Sequence, residues 1–240
     1  MALRIKSLEY YLPEKIETNE FLQKQNPNWD LKSVTKKSGV SQRHIAGPDE
    51  TAYDLSLIAS NLIFKNYDKT KIDGIIFCTQ SPDYIMPSNS FLLHKDLELK
   101  NSVFAYDFNH ACTGYIYALA MANSFIKSNM ADTILLVNAD TYSKYINKKD
   151  RSTRVLFGDG AAATIVEKTI ASGDIIDIEL ASNGNGYDKF WIPSGGLRQP
   201  KSKDTRVENK DILGNVRSSE NIAMDGLGYG HLLIQLYPNK

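Results

Sequence analysis

The stretch that most constrains the fold is residues 103–122, Val-Phe-Ala-Tyr-Asp-Phe-Asn-His-Ala-Cys-Thr-Gly-Tyr-Ile-Tyr-Ala-Leu-Ala-Met-Ala. It begins as an apolar run of β-formers, Val103 to Phe108, and reads as a strand. It ends in Tyr115 to Ala122, Ala-rich and almost wholly apolar, which reads as a helix. Between them lies Cys112, with Gly114 two residues on. A sharp strand-to-helix turn exposes a cysteine sulfur, and the unpaired N–H groups and dipole of a helix start favour thiolate over thiol. Free cysteines are more often small buried hydrophobes. Cys78, inside the continuous apolar run Ile75-Ile76-Phe77-Cys78-Thr79, fits that description; spacing alone does not separate the two readings for Cys112.

The rest of the chain sets this unit among others like it. Residues 2–10 read as a first strand, closed by Tyr11-Leu12-Pro13. Thr18 caps a short helix that Asn26-Pro27 stops, and residues 30–38 read as a solvated amphipathic helix around Leu31 and Val34. Leu55, Ile58, Ala59, Leu62 and Ile63 recur at helical spacing, predicting a helix from about 51 to 66 with those positions inward. A buried strand follows at 74–79, a turn-rich loop at 81–88, a helix at 89–97 and a buried strand with a polar end at 133–140. Gly158 and Gly160 lead into a small-residue strand, Ala161 to Val166, whose composition implies close backbone approach. Strands alternating with helices predict a layered α/β fold. A further strand is expected at 173–181. Residues 182–220, with the charged run Lys201 to Lys210, read as a solvated insertion rather than a core element.

Length and charge narrow the class. The chain has 240 residues, with 28 basic and 28 acidic side chains. That balance offers no nucleic-acid-binding surface and no polybasic membrane patch, and no apolar run is long enough to span a bilayer. Two cysteines on different elements make no disulfide framework, and no Cys/His group has metal-ligand spacing. A reduced, cytoplasmic setting is expected.

Three blocks carry a resemblance. Asp107-Phe108-Asn109-His110-Ala111-Cys112-Thr113-Gly114-Tyr115 is similar to the active-cysteine motif of the β-ketoacyl-acyl-carrier-protein synthase III family, within the thiolase superfamily. Gly39-Val40-Ser41-Gln42-Arg43-His44-Ile45-Ala46 and Asp150 to Ala163 resemble two further family blocks, in the same order and at similar separations. The resemblance runs from about residue 3 to about 226. It implies a thiolase-like α/β/α/β/α fold of two similar halves, with 1–168 the N-terminal half and 169–240 the beginning of the second. It implies that Cys112 is the nucleophile, taking an acyl group from acyl-coenzyme A or acyl-carrier protein for condensation with malonyl-carrier protein in fatty acid biosynthesis. No metal or redox cofactor is implied. The implied partners are the acyl carrier protein, acyl-coenzyme A and a second copy, bound through the N-terminal half.

The resemblance also assigns substrate-binding positions. Arg151 matches an Arg that contacts the coenzyme phosphates. Lys37 falls where bacterial members carry a tunnel-entrance Arg, and Ser33 where they carry an adenine-stacking Trp; Trp29 is four residues too early. Met86 falls where a loop residue crosses a dimer interface into the partner's acyl pocket. Met224-Asp225-Gly226 resembles the segment before a second-half helix, whereas 227–240 does not continue the pattern and His231 is assigned no role. The family's condensing His and Asn find no counterpart, which sets beside the enzyme reading a non-catalytic remnant or dimerising scaffold. A relative making a polyketide, quinolone or glycan-linked acyl group is a third reading. His110 is expected to pack away from the nucleophile, and His44 and His94 to be structural.

Overall fold

The computed structural model describes residues 2–170 and 177–225. In chain order its elements are β1 (Ala2–Tyr11), β2 (Ile16–Thr18), α1 (Asn19–Gln25), α2 (Leu31–Ser38), β3 (Gln42–His44), α3 (Ala52–Phe64), β4 (Gly74–Cys78), α4 (Asn89–Asp96), β5 (Phe104–Phe108), α5 (Gly114–Lys127), β6 (Thr133–Thr141), α6 (Arg151–Arg154), β7 (Asp159–Thr169), β8 (Phe190–Trp191), β9 (Asn209–Lys210), β10 (Val216–Arg217) and β11 (Ala223–Met224). Contacts divide the chain into two compact units that interleave in sequence. The first holds 1–15, 44–141 and 159–180; the second holds 16–43, 142–158 and 181–240.

The first unit is a five-stranded mixed sheet in the order β1-β7-β6-β4-β5. β4 runs parallel to both β5 and β6, while β7 is antiparallel to β6 and β1. Every residue of β4 is buried, because apolar side chains leave both of its faces. Ile75 and Phe77 join Leu135 and Val137 in one cluster, with Leu55, Ala59 and Ile63 of α3 and Leu93 of α4. Ile76 joins Ile134 and Leu136 in the other, with Ala118, Leu119, Ala122 and Ile126 of α5. The period-2 alternation of the strands thus places helices on both faces.

The elements depart from the sequence expectation at several points. The inner face of α3 is Ala52, Leu55, Ser56, Ala59, Ser60 and Ile63, and Ile58 lies on the exposed side. Small serines let the helix lie close to the sheet, and Ser56 Oγ donates to the Ala52 carbonyl at 2.6 Å. α5 runs to Lys127, further than its Ala-rich part suggests, because Phe125 and Ile126 continue its apolar face. β7 starts at Asp159, so Gly160 is a strand residue; a Cβ there would come within 2.9 Å of the Leu12 side chain. Of the strand expected at 173–181, residues 171–176 lie outside the described residues and 177–181 form no strand.

The second unit has a small apolar cluster, Leu22, Leu31 and Val155 with Trp29, Val34 and Leu156 against it. Charged side chains supply much of its remaining structure. Arg43, on the short β3 that no sequence pattern announces, is buried and donates to the carbonyls of Glu17 and Val155 and to Asn19 Oδ1. Asp150 is fully buried and pairs with Arg217 at 3.1 Å. The 182–220 segment is mostly loop, yet it is not a bare insertion. Ser194, Thr205 and Asn215 are buried, and Thr205 Oγ1 donates to Glu220 at 2.7 Å. Met224 lies in β11, paired to β8, while Gly226 and the tail 227–240, His231 included, lie outside the described residues.

Candidate active site

The C-terminal ends of the parallel strands β4, β5 and β6 lie side by side, with Cys78 opposite both Phe108 and Asn138. Chemistry in open α/β sheets gathers at such ends, where chains leave the sheet and turn into helices. From Phe108 the chain passes through Asn109, His110, Ala111, Cys112 and Thr113 into α5, and Cys112 is exposed on that turn. Thr113 is the N-cap, and its carbonyl accepts from the amides of Ile116 and Tyr117 at 3.0 and 3.1 Å. The Gly114 amide closes the turn onto the Ala111 carbonyl at 2.8 Å.

The turn is held from beneath by residues that the motif does not contain. Cys78 Sγ donates to the His110 carbonyl at 3.3 Å. A Cβ at Gly114 would lie 2.4 Å from that sulfur, so only glycine lets the helix start so close to β4. Gln80 Nε2 donates to Asn109 Oδ1 at 2.9 Å. The same residue's amide donates to Asp140 Oδ1 at 2.7 Å, and Ser81 Oγ and Thr79 Oγ1 donate to that oxygen at 3.0 and 3.2 Å. Burial raises the Asp140 carboxyl to about 6, against the lowering effect of these donors. Burial also pushes the Cys78 thiol up to about 12, with the nearby Asp140 charge adding to the shift. Cys78 is therefore a neutral, buried strut. The polar end of β6 was the only sequence signal for this support. Its partner, the Thr79-Gln80-Ser81 turn, carries none.

The histidines have local roles. The His110 ring stacks on Tyr117 with centroids 4.3 Å apart, and its Nδ1 meets Thr113 Oγ1 at 3.2 Å. His44 Nδ1 meets the Pro13 carbonyl at 2.6 Å, and His94 Nε2 the Lys100 carbonyl at 3.0 Å. Met86 rides on the 81–88 loop. Ile85 and Met86 are 97% and 81% exposed, although the loop's base is tied down. The Tyr53 amide donates to Asp83, and the Asn89 and Ser90 amides donate to Asp107 at 2.6 and 2.9 Å.

Lys37 and Arg151 come together in the second unit. Both line a cavity of about 460 Å³ between α2 and α6, with Ser33 on the wall and Val34, Val155 and Leu156 as its apolar floor. Among the described residues no group of His, Cys, Asp and Glu could hold a metal ion, and no helix is long and apolar enough to cross a membrane.

Comparison with known proteins adds a second line of observation. A family model described as 3-oxoacyl-[acyl-carrier-protein (ACP)] synthase III matches residues 106–184. The chain is 36% identical over 212 residues to a putative 3-oxoacyl-[acyl-carrier-protein] synthase 3 of Campylobacter jejuni, covering 88% of this chain and 59% of that protein. It is 37% identical over 201 residues to the β-ketoacyl-[acyl-carrier-protein] synthase III of Caldanaerobacter subterraneus, covering 83% and 60%. A crystal structure of a 3-oxoacyl-(acyl-carrier-protein) synthase III superposes with a TM-score of 0.93 at 34% identity, covering 99% of this chain and 72% of that one. The chain thus spans about three fifths of the length of these curated relatives.

Proposed function

The chain belongs to the 3-oxoacyl-[acyl-carrier-protein] synthase III family, and from that premise we propose that it is an acyltransferase of fatty acid biosynthesis in which Cys112 accepts an acyl group from a thioester. The observation that carries this reading is the exposed Cys112 sulfur on a turn braced by Cys78, Gln80 and Gly114 and running directly into a 14-residue helix. The Cys112 sulfur attacks the carbonyl carbon of the donor thioester, and the donor's own carbon–sulfur bond breaks. The donor thiol leaves with the proton, and the acyl group stays on Cys112 as a new thioester. Malonyl-carrier protein then loses carbon dioxide. The resulting carbanion attacks the acyl carbon, Cys112 departs as thiolate, and a β-ketoacyl product forms on the carrier protein. Neither step transfers electrons to an outside acceptor, so the chemistry calls for no redox cofactor.

In this reading 1–168 is the N-terminal thiolase-like half and 169–240 the start of the second. Lys37 and Arg151 hold the donor's phosphate. Met86 serves the acyl pocket of a second copy in a homodimer, and the enzyme works in the cytoplasm. Two observations support the dimer: the 81–88 loop presents an apolar tip, and β5 is an edge strand of its sheet. The test is to incubate the chain with acyl-coenzyme A and, separately, with acyl-carrier protein, then to record intact mass. Wild type is expected to gain the acyl mass from at least one donor, and Cys112→Ala from neither. No adduct on wild type, or an undiminished adduct on the variant, sinks the reading.

A further inference from the structure

Where the chain leaves β4, three consecutive residues reach across to three consecutive residues at the end of β5. The Thr79 amide donates to the Phe108 carbonyl at 3.2 Å, Gln80 Nε2 to Asn109 Oδ1 at 2.9 Å, and Cys78 Sγ to the His110 carbonyl at 3.3 Å. The turn that exposes Cys112 thus takes its place from residues 78–80. Those residues need a support of their own, because β4 ends at Cys78 and its pairing with β5 and β6 ends there too. β6 supplies it. That strand runs on to Thr141, with Asp140 in register with Gly160 of β7, so the carboxyl is carried on paired backbone. Three donors from the 79–81 segment converge on a single oxygen, Asp140 Oδ1: the Gln80 amide at 2.7 Å, Ser81 Oγ at 3.0 Å and Thr79 Oγ1 at 3.2 Å. Ser81 Oγ accepts in turn from the Thr141 amide at 2.8 Å, and the Ser81 amide donates to Thr79 Oγ1 at 3.0 Å. The polar end of β6 is therefore the post to which the 79–81 segment is tied.

We propose that Asp140 and Gln80 are positioning residues for acyl transfer at Cys112. Asp140 Oδ1 pins the 79–81 segment to β6, and the Gln80 side chain carries that placement to Asn109, three residues before the nucleophile. The inference rests on the acyl-transfer reading for the reaction it serves. Both residues act through the turn and not on the acyl donor, so they set the rate constant of acyl transfer and leave the donor's affinity alone. A nucleophile is effective only while its supporting residues hold it on its line of attack. Because the three donors share one oxygen, an amide oxygen can stand in for the carboxylate at Asp140.

Rapid-quench intact mass, with acyl-coenzyme A and with acyl-carrier protein as donors, reads the saturating rate of Cys112 acylation and the half-saturating donor concentration. Gln80→Ala is expected to lower the saturating rate about tenfold. Half-saturation and Tm are expected to stay as in wild type, since the backbone bond to Asp140 is retained. Asn109→Ala is expected to match it, and the double variant to be no slower than either single, because the two side chains are the ends of one contact. Asp140→Ala is expected to slow acylation at least as much, and Asp140→Asn to stay within about twofold of wild type. A wild-type rate for Gln80→Ala, multiplied losses in the double variant, or an Asp140→Asn rate as low as that of Asp140→Ala overturns the proposal. Where Asp140→Ala does not fold, the Gln80–Asn109 cycle decides. The two readings fail separately. If no acyl group reaches wild-type Cys112, the acyl-transfer reading falls and alkylation of Cys112 by iodoacetamide becomes the readout. Equal slowing by Gln80→Ala and Asn109→Ala then keeps the positioning role, and a wild-type alkylation rate in both removes it. Acylation at an unchanged rate in Gln80→Ala removes the positioning role and leaves the acyl-transfer reading standing.

Discussion

The two units are held together by different means. The first is a sheet whose central strands bury apolar side chains on both faces, and the polar groups of the Cys112 turn sit at the C-terminal ends of its parallel strands. Among the described residues the second has a small apolar cluster, and its loops are tied by buried charges. Arg43 spans three acceptors, Asp150 is fully buried against Arg217, and Arg154 reaches Glu17 at 3.2 Å with both side chains nearly covered. Apolar burial tolerates substitution outside the contact and fails locally when volume is lost. A buried charge network fails when one partner is removed, because the other is left desolvated.

That contrast can be broken by substitution. Phe77→Ala removes a ring buried between β4 and the α3 face and is expected to cost about 4 kcal/mol by urea unfolding. A cost near 1 kcal/mol would mean that β4 is not the centre of the first unit. Asp150→Ala is expected to cost about 3 kcal/mol by leaving Arg217 half-paired in a buried setting. If it costs no more than a surface change, the second unit does not depend on its charges.

A third substitution tests the buried carboxyl at the end of β6. Burial holds the Asp140 carboxyl at about 6, above its ordinary value of 3.8. A raised carboxyl stabilises the fold fully below about pH 4, and that contribution is lost as pH rises through 6. The loss amounts to up to about 3 kcal/mol. Asp140→Asn is expected to flatten this slope between pH 4.5 and 7 relative to wild type. Parallel slopes would place the carboxylate in water. The smallest effect is expected at Ile58→Lys, within about 0.5 kcal/mol, because the side chain lies on the exposed side of α3. A large loss there would restore the inward stripe that the spacing suggested.

Local sequence patterns carried the apolar elements more fully than the polar ties. Strands β1, β4 and β6 and helices α1 to α5 were legible, because long apolar runs and the Thr18 cap act locally. The inner face of α3 was misread at Ile58, since hydrophobicity at helical spacing does not report which stripe meets a sheet that approaches closely enough to prefer serines. β3 and the ties within 182–220 were not legible. They are made by Arg43, Thr205, Asn215 and Arg217, polar residues whose partners lie far away in sequence.

At the candidate site, residues 103–122 set Cys112 with its strand, turn and helix, and three separate blocks of sequence carried the family. What those residues could not specify is why the turn holds its form. Cys78 beneath Gly114, and Asp140 through Gln80 to Asn109, are brought there by the parallel pairing of β4 with β5 and β6. Likewise Lys37 and Arg151, more than a hundred residues apart in the chain, became one cavity only through the packing of α2 against α6. Local sequence determines elements because backbone preference and side-chain period are local. Juxtaposition across the chain is decided by packing, which no single stretch contains.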